Sequence, residues 1–313
     1  MKILITGIHG FAGTNLVNAL KERHTIYGLD IISPDKEGVV KTFSWEDLEA
    51  DIVPEVDGIV HLAGKAHDTK NQSAAKVYFK VNTGLTQTIF DYFVAHPSIK
   101  KFVFFSTAKA AADRVEGVLT EDVVPNPVGP YGESKIKAEK YILANTNLTD
   151  NTNQQVYIFR PCMIHGPGNK GNLNLLYNVV RKGIPWPLGA FENRRTFTSV
   201  ENICFAVEGV LTKDVPSGIY NMGDDEALST NELIEEICKS LGKKAHIWKL
   251  PKGLVTGCAK VGGWLHLPLN PDRLQKLTEN YVSSNAKIKK ALGVERMPVD
   301  AREGLRVTLE SFK

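Results

Sequence analysis

Tyr131 and Lys135 stand four residues apart, directly after a proline-rich stretch that ends at Pro130. On a helix this spacing puts both side chains on one face. A free phenol has a pKa of about 10 and is a poor base at neutral pH, but a nearby ammonium and the positive ring of an oxidised nicotinamide would both favour phenolate. The pair therefore predicts a base that takes a proton from a sugar hydroxyl while hydride leaves the same carbon. The same spacing is common on solvated helices, so this interpretation depends on a cofactor motif elsewhere in the chain.

A glycine-rich segment near the first residue supplies that motif. Gly7, Gly10 and Gly13 follow the apolar run Lys2–Thr6 and open a segment of helical periodicity that begins at Phe11. The first glycine permits a tight turn, the second lets a pyrophosphate approach the backbone, and the third allows close packing of helix on strand. Free N–H groups at the start of the helix would then bind the phosphates. Placed between a strand and a helix, the segment predicts a dinucleotide site; three glycines alone would indicate only a turn.

Asp30 ends the second predicted strand, 20 residues after Gly10. A carboxylate at this place hydrogen-bonds the adenosine ribose hydroxyls in dinucleotide-binding proteins. It would also repel a 2′-phosphate, by roughly 4 kcal/mol for two unit charges about 4 Å apart at an effective dielectric of 20. The next residues, Ile31 to Ser33, include no arginine to offset that repulsion. Asp30 therefore favours NAD over NADP, and the alternative is a solvated strand end.

Ser106 and Thr107 end an apolar run that begins at Phe102. Side chains at the carboxyl end of a parallel strand face the crevice in which ligands bind. Thr107 could hydrogen-bond the reacting hydroxyl or carbonyl. The alternative is that both hydroxyls only cap the next turn.

The elements that must position these residues alternate between two periodicities over the first 160 residues. Short β-branched and aromatic runs predict strands, and longer segments with apolar spacing near 3.6 predict helices. The predicted strands are Lys2–Thr6, Thr25–Leu29, Asp57–Leu62, Lys101–Ser106 and Gln155–Arg160, with a weaker one around Val39–Phe43. The predicted helices are Phe11–Glu22, Ala74–His96 and Tyr131–Asn145. This alternation indicates an α/β fold, a Rossmann-type, doubly wound parallel sheet with helices on both faces.

After Arg160 the character of the sequence changes. A stretch rich in Gly, Pro and Asn runs to Pro187, and the remainder is mostly helical in pattern, with brief strands near Ile219–Asn221 and His246–Lys249. We therefore expect a smaller, mostly helical C-terminal domain for the substrate. The expected division is residues 1–168 and 195–222 for the Rossmann domain, and 169–194 and 223–313 for the substrate domain.

Composition excludes several classes of protein. Of 313 residues, 42% are hydrophobic and 23% charged, which is typical of a globular chain and excludes a disordered or fibrous one. The net charge of +3 is too small to indicate a nucleic-acid or membrane surface. No apolar run approaches the ~18 residues of a membrane helix, and the first residues lack the layout of a signal peptide. We expect a cytoplasmic protein without a nucleic-acid or membrane partner.

Cysteine and histidine spacing gives no metal or disulfide pattern. The four cysteines are Cys162, Cys204, Cys238 and Cys258, and their wide scatter predicts reduced core thiols. His61 and His67 lie six residues apart with no third ligand nearby, so we expect no metal. His165 and Cys162 lie near the expected cleft, where a role in proton transfer is conceivable, but packing of their loop is the favoured interpretation.

Further segments complete a pattern that spans essentially the whole chain. In order along the sequence they are Thr6–Gly13, Asp30, His61–Gly64, Val81–Asn82, Ser106–Thr107, Tyr131–Lys135, Arg160–Pro161 and Gly166–Gly168. In this order they resemble the extended short-chain dehydrogenase/reductase family, in its nucleotide-sugar epimerase/dehydratase branch. Within that branch the resemblance is to 4-epimerases of UDP-glucose and UDP-N-acetylglucosamine.

The resemblance implies NAD as cofactor, Thr107, Tyr131 and Lys135 as the catalytic set, and a nucleoside-diphosphate sugar in the C-terminal domain. The residues implied to contact NAD are Gly7, Gly10, Phe11, Gly13, Asp30, Leu62, Ala63, Gly64, Asn82, Tyr131, Lys135 and Pro161. Those implied to contact the substrate are Asn172, Leu173, Arg195 and Arg273, arginine being suited to phosphate by its planar fork of donors. The family commonly forms homodimers through two helices, here Ala74–His96 and Tyr131–Asn145.

Departures from the family pattern narrow the function. Ala108 and Lys109 stand where 4,6-dehydratases carry Asp-Glu, which disfavours dehydration. The segment Lys109–Ala112 also differs from the Val-Tyr-Gly usual in epimerases, which leaves the subclass open. Pro187–Arg195 looks like a subgroup that acts on UDP-N-acetylamino sugars in surface-polysaccharide synthesis, some of whose members are 4-keto reductases.

The leading hypothesis is an NAD-dependent 4-epimerase of a UDP-sugar, either UDP-glucose/galactose or an N-acetylamino form. Tyr131 would be the base, and a transient 4-keto sugar the intermediate. The alternative enzyme is an NAD(P)H-dependent UDP-4-keto-sugar reductase in surface-polysaccharide synthesis. A catalytically silent NAD-binding regulator is disfavoured because Tyr131 and Lys135 are both present.

Overall fold

The computed structural model describes residues 1–66, 74–146, 153–264 and 270–313. Within these ranges, strands and helices alternate through the first half of the chain, and helices dominate the second. The strands are β1 (Lys2–Thr6), β2 (Thr25–Leu29), β3 (Thr42–Phe43), β4 (Gly58–His61), β5 (Lys101–Phe105), β6 (Val118–Leu119), β7 (Gln155–Pro161), β8 (Met163–His165), β9 (Arg195–Ser199), β10 (Gly218–Met222), β11 (Ala227–Leu228) and β12 (Val282–Ser283).

Helices connect these strands and cover both sides of the main sheet. They are α1 (Phe11–Leu20), α2 (Trp45–Glu49), α3 (Ala75–Tyr78), α4 (Leu85–Ala95), α5 (Ala108–Ala111), α6 (Pro130–Ala144), α7 (Asn172–Arg181), α8 (Val200–Thr212), α9 (Thr230–Ser240), α10 (Lys252–Trp264), α11 (Pro271–Thr278), α12 (Ala286–Leu292) and α13 (Ala301–Glu310). A π-helical turn, Phe79–Gly84, joins α3 to α4.

Seven of the strands form one parallel sheet in the order β10-β7-β5-β4-β1-β2-β3. The chain starts at β1, moves outward through β2 and β3, and then crosses back to β4 on the other side of β1. Ile3 of β1 lies between Ile26 of β2 and Gly58 of β4. This arrangement confirms the predicted Rossmann-type α/β fold, whose switch point lies between β1 and β4.

Most predicted elements of the first half are confirmed within a few residues. The weak strand around Val39–Phe43 is reduced to Thr42–Phe43. The helix predicted over Ala74–His96 has the expected extent, but its middle turn is π-helical. Periodicity alone does not reveal this turn, because one additional residue hardly alters the apolar spacing.

In the second half, the brief strand expected near Ile219–Asn221 is confirmed as β10. The strand expected at His246–Lys249 is wrong. Ile247 and Lys249 form only isolated bridges, to Trp186 and Leu188 respectively. Because these bridges leave most of the segment without ladder hydrogen bonds, it does not extend into a regular strand.

Two hydrophobic cores sandwich the main sheet. One packs α1 and α8 on the sheet through residues such as Leu16 and Val207, and the other packs α4 and α6 on the opposite face through Phe90 and Ile142. Burial of both faces explains why these strands are nearly continuous apolar runs rather than alternating ones.

The C-terminal region has its own core, in which α7, α9 and α13 pack together. Strands β8, β9 and β11 form a small sheet beside it, and β6 pairs with β12. Among the cysteines, Cys204 and Cys238 are buried and Cys162 is partly buried. Cys258 is exposed, so the expectation of a core thiol is wrong at that position. In the part of the chain that the structure describes, no helix is long and apolar enough to cross a bilayer.

Candidate active site

The functional residues converge because parallel strands end at the same edge of the sheet. β1 runs into the glycine-rich loop, β4 into Leu62–Gly64, and β5 into Ser106 and Thr107. In an open α/β sheet this edge, beside the switch point, is where ligands bind.

The glycine-rich loop is a bare backbone cradle. Gly7 has a φ of +68° and donates its N–H to Leu29 O at 2.8 Å. A Cβ on Gly7 would lie 2.8 Å from Ala63 N, and one on Gly13 would lie 2.5 Å from Gly7 O. Gly10 caps α1 without a side-chain hydrogen bond. The loop therefore leaves its helix N-terminus open, which fits a pyrophosphate.

Asp30 lies against this same loop. Its Oδ2 accepts a hydrogen bond from His9 N at 3.0 Å, and its Oδ1 accepts one from Ile31 N at 2.8 Å. The carboxylate is thus oriented by the loop and is only partly buried. A partly exposed acceptor beside the phosphate cradle suits a ribose hydroxyl.

Asn82 ties the π-helical turn to the strand end after β4. Its Oδ1 accepts from Lys65 N at 2.7 Å, and its Nδ2 donates to Lys65 O and to Ser134 Oγ. A Cβ on Gly64 would lie 3.1 Å from both Asn82 Oδ1 and Lys135 Nζ. Because Gly64 has no side chain, the main chain can pass close to the Lys135 ammonium. The π-helical turn that carries Asn82 is also of a kind that is frequent at functional sites.

Tyr131 and Thr107 are brought together as predicted. Thr107 caps α5, where its Oγ1 accepts from Lys109 N at 3.3 Å. Burial raises the pKa of Tyr131, and a hydrogen bond with the Thr107 side chain acts against that rise. A hydrogen bond that Thr107 donates to the phenolate would have this effect. Tyr131 stays partly accessible at the cleft, where a substrate hydroxyl could reach it.

Lys135 is buried on α6, one helical turn after Tyr131. Its Nζ donates to Phe105 O at 2.7 Å and lies 4.9 Å from the centre of the Phe104 ring. Burial lowers the pKa of Lys135 to about 8, although the nearby Glu139 carboxylate opposes the change. At neutral pH the side chain is therefore a cation held at the base of the cleft.

Sequence reasoning missed a buried ion pair behind the catalytic helix. Arg160 donates to Glu139 through Nη2 at 2.6 Å and Nε at 3.0 Å, and Ser106 Oγ donates to Glu139 as well. Glu139 follows Lys135 by four residues, as Lys135 follows Tyr131. The repeated spacing was a signal that could have placed Glu139 on the same face.

His61 belongs to a hydrogen-bond chain rather than to a metal site. Its Nδ1 is 2.7 Å from Thr6 Oγ1, and its Nε2 is 2.9 Å from Thr86 Oγ1. Thr86 donates its own proton to Asn82 O, so His61 must donate through Nε2. Burial and the charge of Lys135 lower the pKa of His61 well below its ordinary value, which keeps the ring neutral.

No group of three possible metal ligands occurs among the residues described, and His67 lies outside them. His165 is buried, with Nδ1 2.9 Å from Thr308 Oγ1 and Nε2 3.5 Å from Asp224 Oδ2. These contacts support a packing role for His165.

The residues expected to bind substrate lie in different settings. Asn172 is exposed in the first turn of α7, whereas Leu173 is buried in the C-terminal core. Arg195 pairs with Glu279 at 3.2 Å, and its charge and that of Lys109 both act on the Cys162 thiol, whose pKa burial raises to about 12.

Arg273 lies in α11, but its side chain is outside the described part of the structure. Pro161 ends β7, where it pairs with Met222. Phe11 begins α1 and lies against Gly166, where a Cβ would lie 3.6 Å from the Phe11 ring. The expected cofactor loop at Pro161 and the first turn of α1 are therefore neighbours.

A parallel sheet of this topology, with a glycine-rich loop at its switch point, is characteristic of dinucleotide-dependent enzymes. The family comparison makes the class specific. The model of the NAD dependent epimerase/dehydratase family matches residues 3–223. The chain belongs to this family, and it is therefore an NAD-dependent enzyme of the epimerase/dehydratase class.

Curated relatives cover nearly the full chain. It is 30% identical to a UDP-glucose 4-epimerase of Vibrio cholerae, over 99% of this chain and 95% of the relative. It is 27% identical to the N-acetyl-alpha-D-glucosaminyl-diphospho-ditrans,octacis-undecaprenol 4-epimerase of Escherichia coli O157:H7, over 92% of this chain and 84% of that one.

Solved structures agree with the fold. The UDP-glucuronic acid 4-epimerase from Bacillus cereus in complex with NAD aligns with a TM-score of 0.75 at 21% identity, covering 100% of this chain and 98% of that one. MoeE5 in complex with UDP-glucose and NAD aligns with a TM-score of 0.76 at 22% identity, covering 99% and 98%.

Proposed function

We propose that the protein is a 4-epimerase of a UDP-sugar, in which Tyr131 is the base that takes the C4 hydroxyl proton. The observation that carries this proposal is the placement of Tyr131 one helical turn before the buried Lys135 cation, at the end of the sheet where β5 leads to Thr107. Burial raises the pKa of Tyr131, and the Thr107 side chain acts against that rise; the positive ring of oxidised NAD would favour the phenolate further. Two relatives that are both described as 4-epimerases support C4 as the carbon that reacts.

The residues present fit NAD. The glycine loop would hold the pyrophosphate, Asp30 the adenosine ribose, and Gly64 and Asn82 the strand end nearest Lys135. A Cβ at Gly7 or Gly13 would collide with neighbouring main chain, so these glycines allow the loop to pack tightly against the start of α1 and the strand end after β4. When bound, NAD supplies a reversible acceptor for the C4 hydride.

The protein's own side chains would then control the proton. Tyr131 Oη accepts it from the C4 hydroxyl as hydride leaves, which gives a 4-keto sugar. Thr107 orients the reacting oxygen, and Lys135 lowers the cost of the phenolate. After the sugar turns over in the cleft, Tyr131 returns the proton to the C4 oxygen as hydride arrives on the opposite face. No net oxidation occurs, so one cofactor serves many turnovers.

The position after Thr107 argues against dehydration. Lys109 Nζ is bonded to Asp113 at 3.1 Å and lies 4.7 Å from the Tyr281 ring centre. Ala108 and Lys109 thus supply neither of the two carboxyl groups that the dehydratase pattern uses to remove water from C5 and C6.

Proton NMR of the purified chain tests the proposal. The substrates are UDP-glucose, UDP-galactose, UDP-N-acetylglucosamine and UDP-N-acetylgalactosamine, each with sub-stoichiometric NAD. We expect at least one C4 epimer to accumulate in excess over NAD. Conversion of none of the four would contradict the proposal, and reduction of a UDP-4-keto sugar with consumption of NADH would then support the reductase.

We also propose that the chain forms a homodimer through its two long helical regions, 75–95 and 130–144, as the family resemblance implies. Sedimentation equilibrium of the purified chain tests this proposal. A mass of one chain at micromolar concentration would contradict it.

A further inference from the structure

The helix α10 has an apolar face that nothing in the described structure covers. Leu254, Cys258 and Val261 recur at helical spacing along one side, and all three are exposed. Leu254 is 56% exposed, Val261 54%, and Trp264 at the end of the helix 81%. A tryptophan this exposed is unusual on a protein surrounded only by water.

The opposite side of α10 fixes the helix to the protein. Val255 and Ala259 are buried in a small core with Leu188 and Leu274. The helix is therefore held with its packed side inward and its second apolar side outward. This orientation comes from packing within the chain and needs no partner to create it.

The stretch of sequence that contains α10 carries only positive charges. Residues 237–271 contain six lysines and no Asp or Glu, so they carry +6 in a chain whose net charge is only +3. The lysines are Lys239, Lys243, Lys244, Lys249, Lys252 and Lys260. Lys239 pairs with Glu236, and none of the other five makes an ion pair within the described ranges. The small overall charge thus hides a basic segment.

We infer that α10 and its lysines dock the protein on the surface of an anionic lipid bilayer. A helix with exposed leucine, valine and tryptophan on one side, and with the exposed Lys260 next to that side, lies in the membrane interface, where tryptophan is favoured. Each lysine close to an anionic surface strengthens binding by about fivefold. A second copy of this chain is a poorer occupant of the face, because two +6 segments would repel.

This docking is peripheral and independent of the chemistry proposed above. α11 follows α10 along the chain, and Glu279, just beyond α11, pairs with Arg195 beside the cleft. The docking face and the expected substrate side therefore belong to neighbouring parts of the C-terminal region.

Vesicle sedimentation with the full chain tests the inference. The vesicles contain phosphatidylcholine alone or with phosphatidylglycerol, at low and at high salt. We expect binding to the anionic vesicles that weakens with salt, and at least about tenfold weaker binding for the double variant Leu254→Glu, Val261→Glu. Val40→Glu, at a residue that is 64% exposed elsewhere on the surface, adds one like charge and should bind as the parent does.

Trp264 gives a second readout that does not depend on a charge change. Its fluorescence should shift to the blue on addition of anionic vesicles, and Trp264→Phe should remove most of that shift while the other tryptophans remain. The circular dichroism and melting temperature of each variant show whether it is folded. Absence of binding to every vesicle, or parent-like binding by the folded double variant, would overturn the inference. A dimer that the double variant dissociates, without vesicle binding by the parent, would assign the face to self-association and overturn it too.

Discussion

The guanidinium of Arg160 and the carboxylate of Glu139 form an ion pair that is closed to solvent, with Nη2 2.6 Å from Oε2. The pair joins β7 to α6, and Ser106 at the end of β5 bonds to the same carboxylate. Glu139 is also the negative charge that opposes the loss of the proton from Lys135. The ion pair therefore fixes the helix that carries Tyr131 and Lys135 relative to the strand that leads to Thr107.

Glu139→Ala should strongly destabilise the protein. Removing one partner leaves the Arg160 guanidinium buried without its counter-charge, and breaking a buried pair in this way costs about 3–5 kcal/mol. Urea unfolding of the parent and the variant measures the difference. Arg306→Ala is the control, because Arg306 pairs with Glu303 and Glu310 on the surface and its loss should cost below about 1 kcal/mol. Equal effects of the two substitutions would show that the buried pair does not stabilise the fold.

Tyr131→Phe should reduce turnover by about 10²–10⁴-fold, because it removes the proton acceptor and keeps the ring. NAD affinity, measured by titration, should fall far less than turnover, because Tyr131 is only one of the residues expected to contact NAD. Tyr141→Phe is a matched control on the same helix, where the hydroxyl bonds to Asp91 away from the cleft. Retention of full activity by the Tyr131 variant would exclude Tyr131 as the base.

Lys135→Met should change how stability depends on pH. The pKa of Lys135 is about 8 in the folded chain and 10.5 as its ordinary value. Below pH 8 both states hold the proton, so the cost of burying the cation is complete and constant. Between about pH 8 and 10.5 the unfolded state binds more protons, so the stability of the parent rises with pH.

Over that interval, the free energy of unfolding of the parent should rise by about 3 kcal/mol relative to that of the Lys135 variant. Urea unfolding of both chains at a series of pH values measures it. A constant difference across the interval would mean that burial does not depress the lysine pKa. The variant should also lose turnover at every pH, since its cleft holds no cation.

Asp30→Ala should weaken NAD binding by about tenfold, the effect of losing hydrogen bonds to a charged acceptor. The preference for NAD over NADP should fall at the same time, because the variant lacks the charge that repels a 2′-phosphate. Isothermal titration with both cofactors measures the ratio. Asp35→Ala removes an equal charge from the following exposed loop and should alter neither affinity. An unchanged ratio in the Asp30 variant would place the ribose elsewhere.

Local patterns predicted the Rossmann half of the fold because its strands are buried on both faces and its turns require glycine. The glycine loop, Asp30 and the Tyr131–Lys135 pair could be identified because their spacing along the chain reflects direct neighbours in space. The four-residue spacing from Lys135 could place Glu139 on the same helix face, but its pairing with Arg160 could not be predicted, since that pairing joins a helix to a strand 21 residues later. The periodicity of a sequence does not indicate which two buried charges pair in the folded chain.

The C-terminal region was less predictable for a different physical reason. The segment at His246–Lys249 has the β-branched and aromatic residues of a strand, but tertiary contacts with Trp186 and Leu188 allow only isolated bridges. The basic segment that contains α10 does not show in the net charge, because the net charge averages over the whole chain. Only the fold shows which side of α10 is packed and which side is left exposed.

Hydride return to the same sugar carbon is the central claim, and deuterium at C4 tests it most directly. The chain is incubated with the four UDP-sugars, each deuterated at C4, and NAD below the sugar concentration. The mechanism predicts a C4 epimer that retains deuterium at C4 over many turnovers per NAD. Formation of an epimer without deuterium at C4, or no epimer from any of the four sugars, would contradict it.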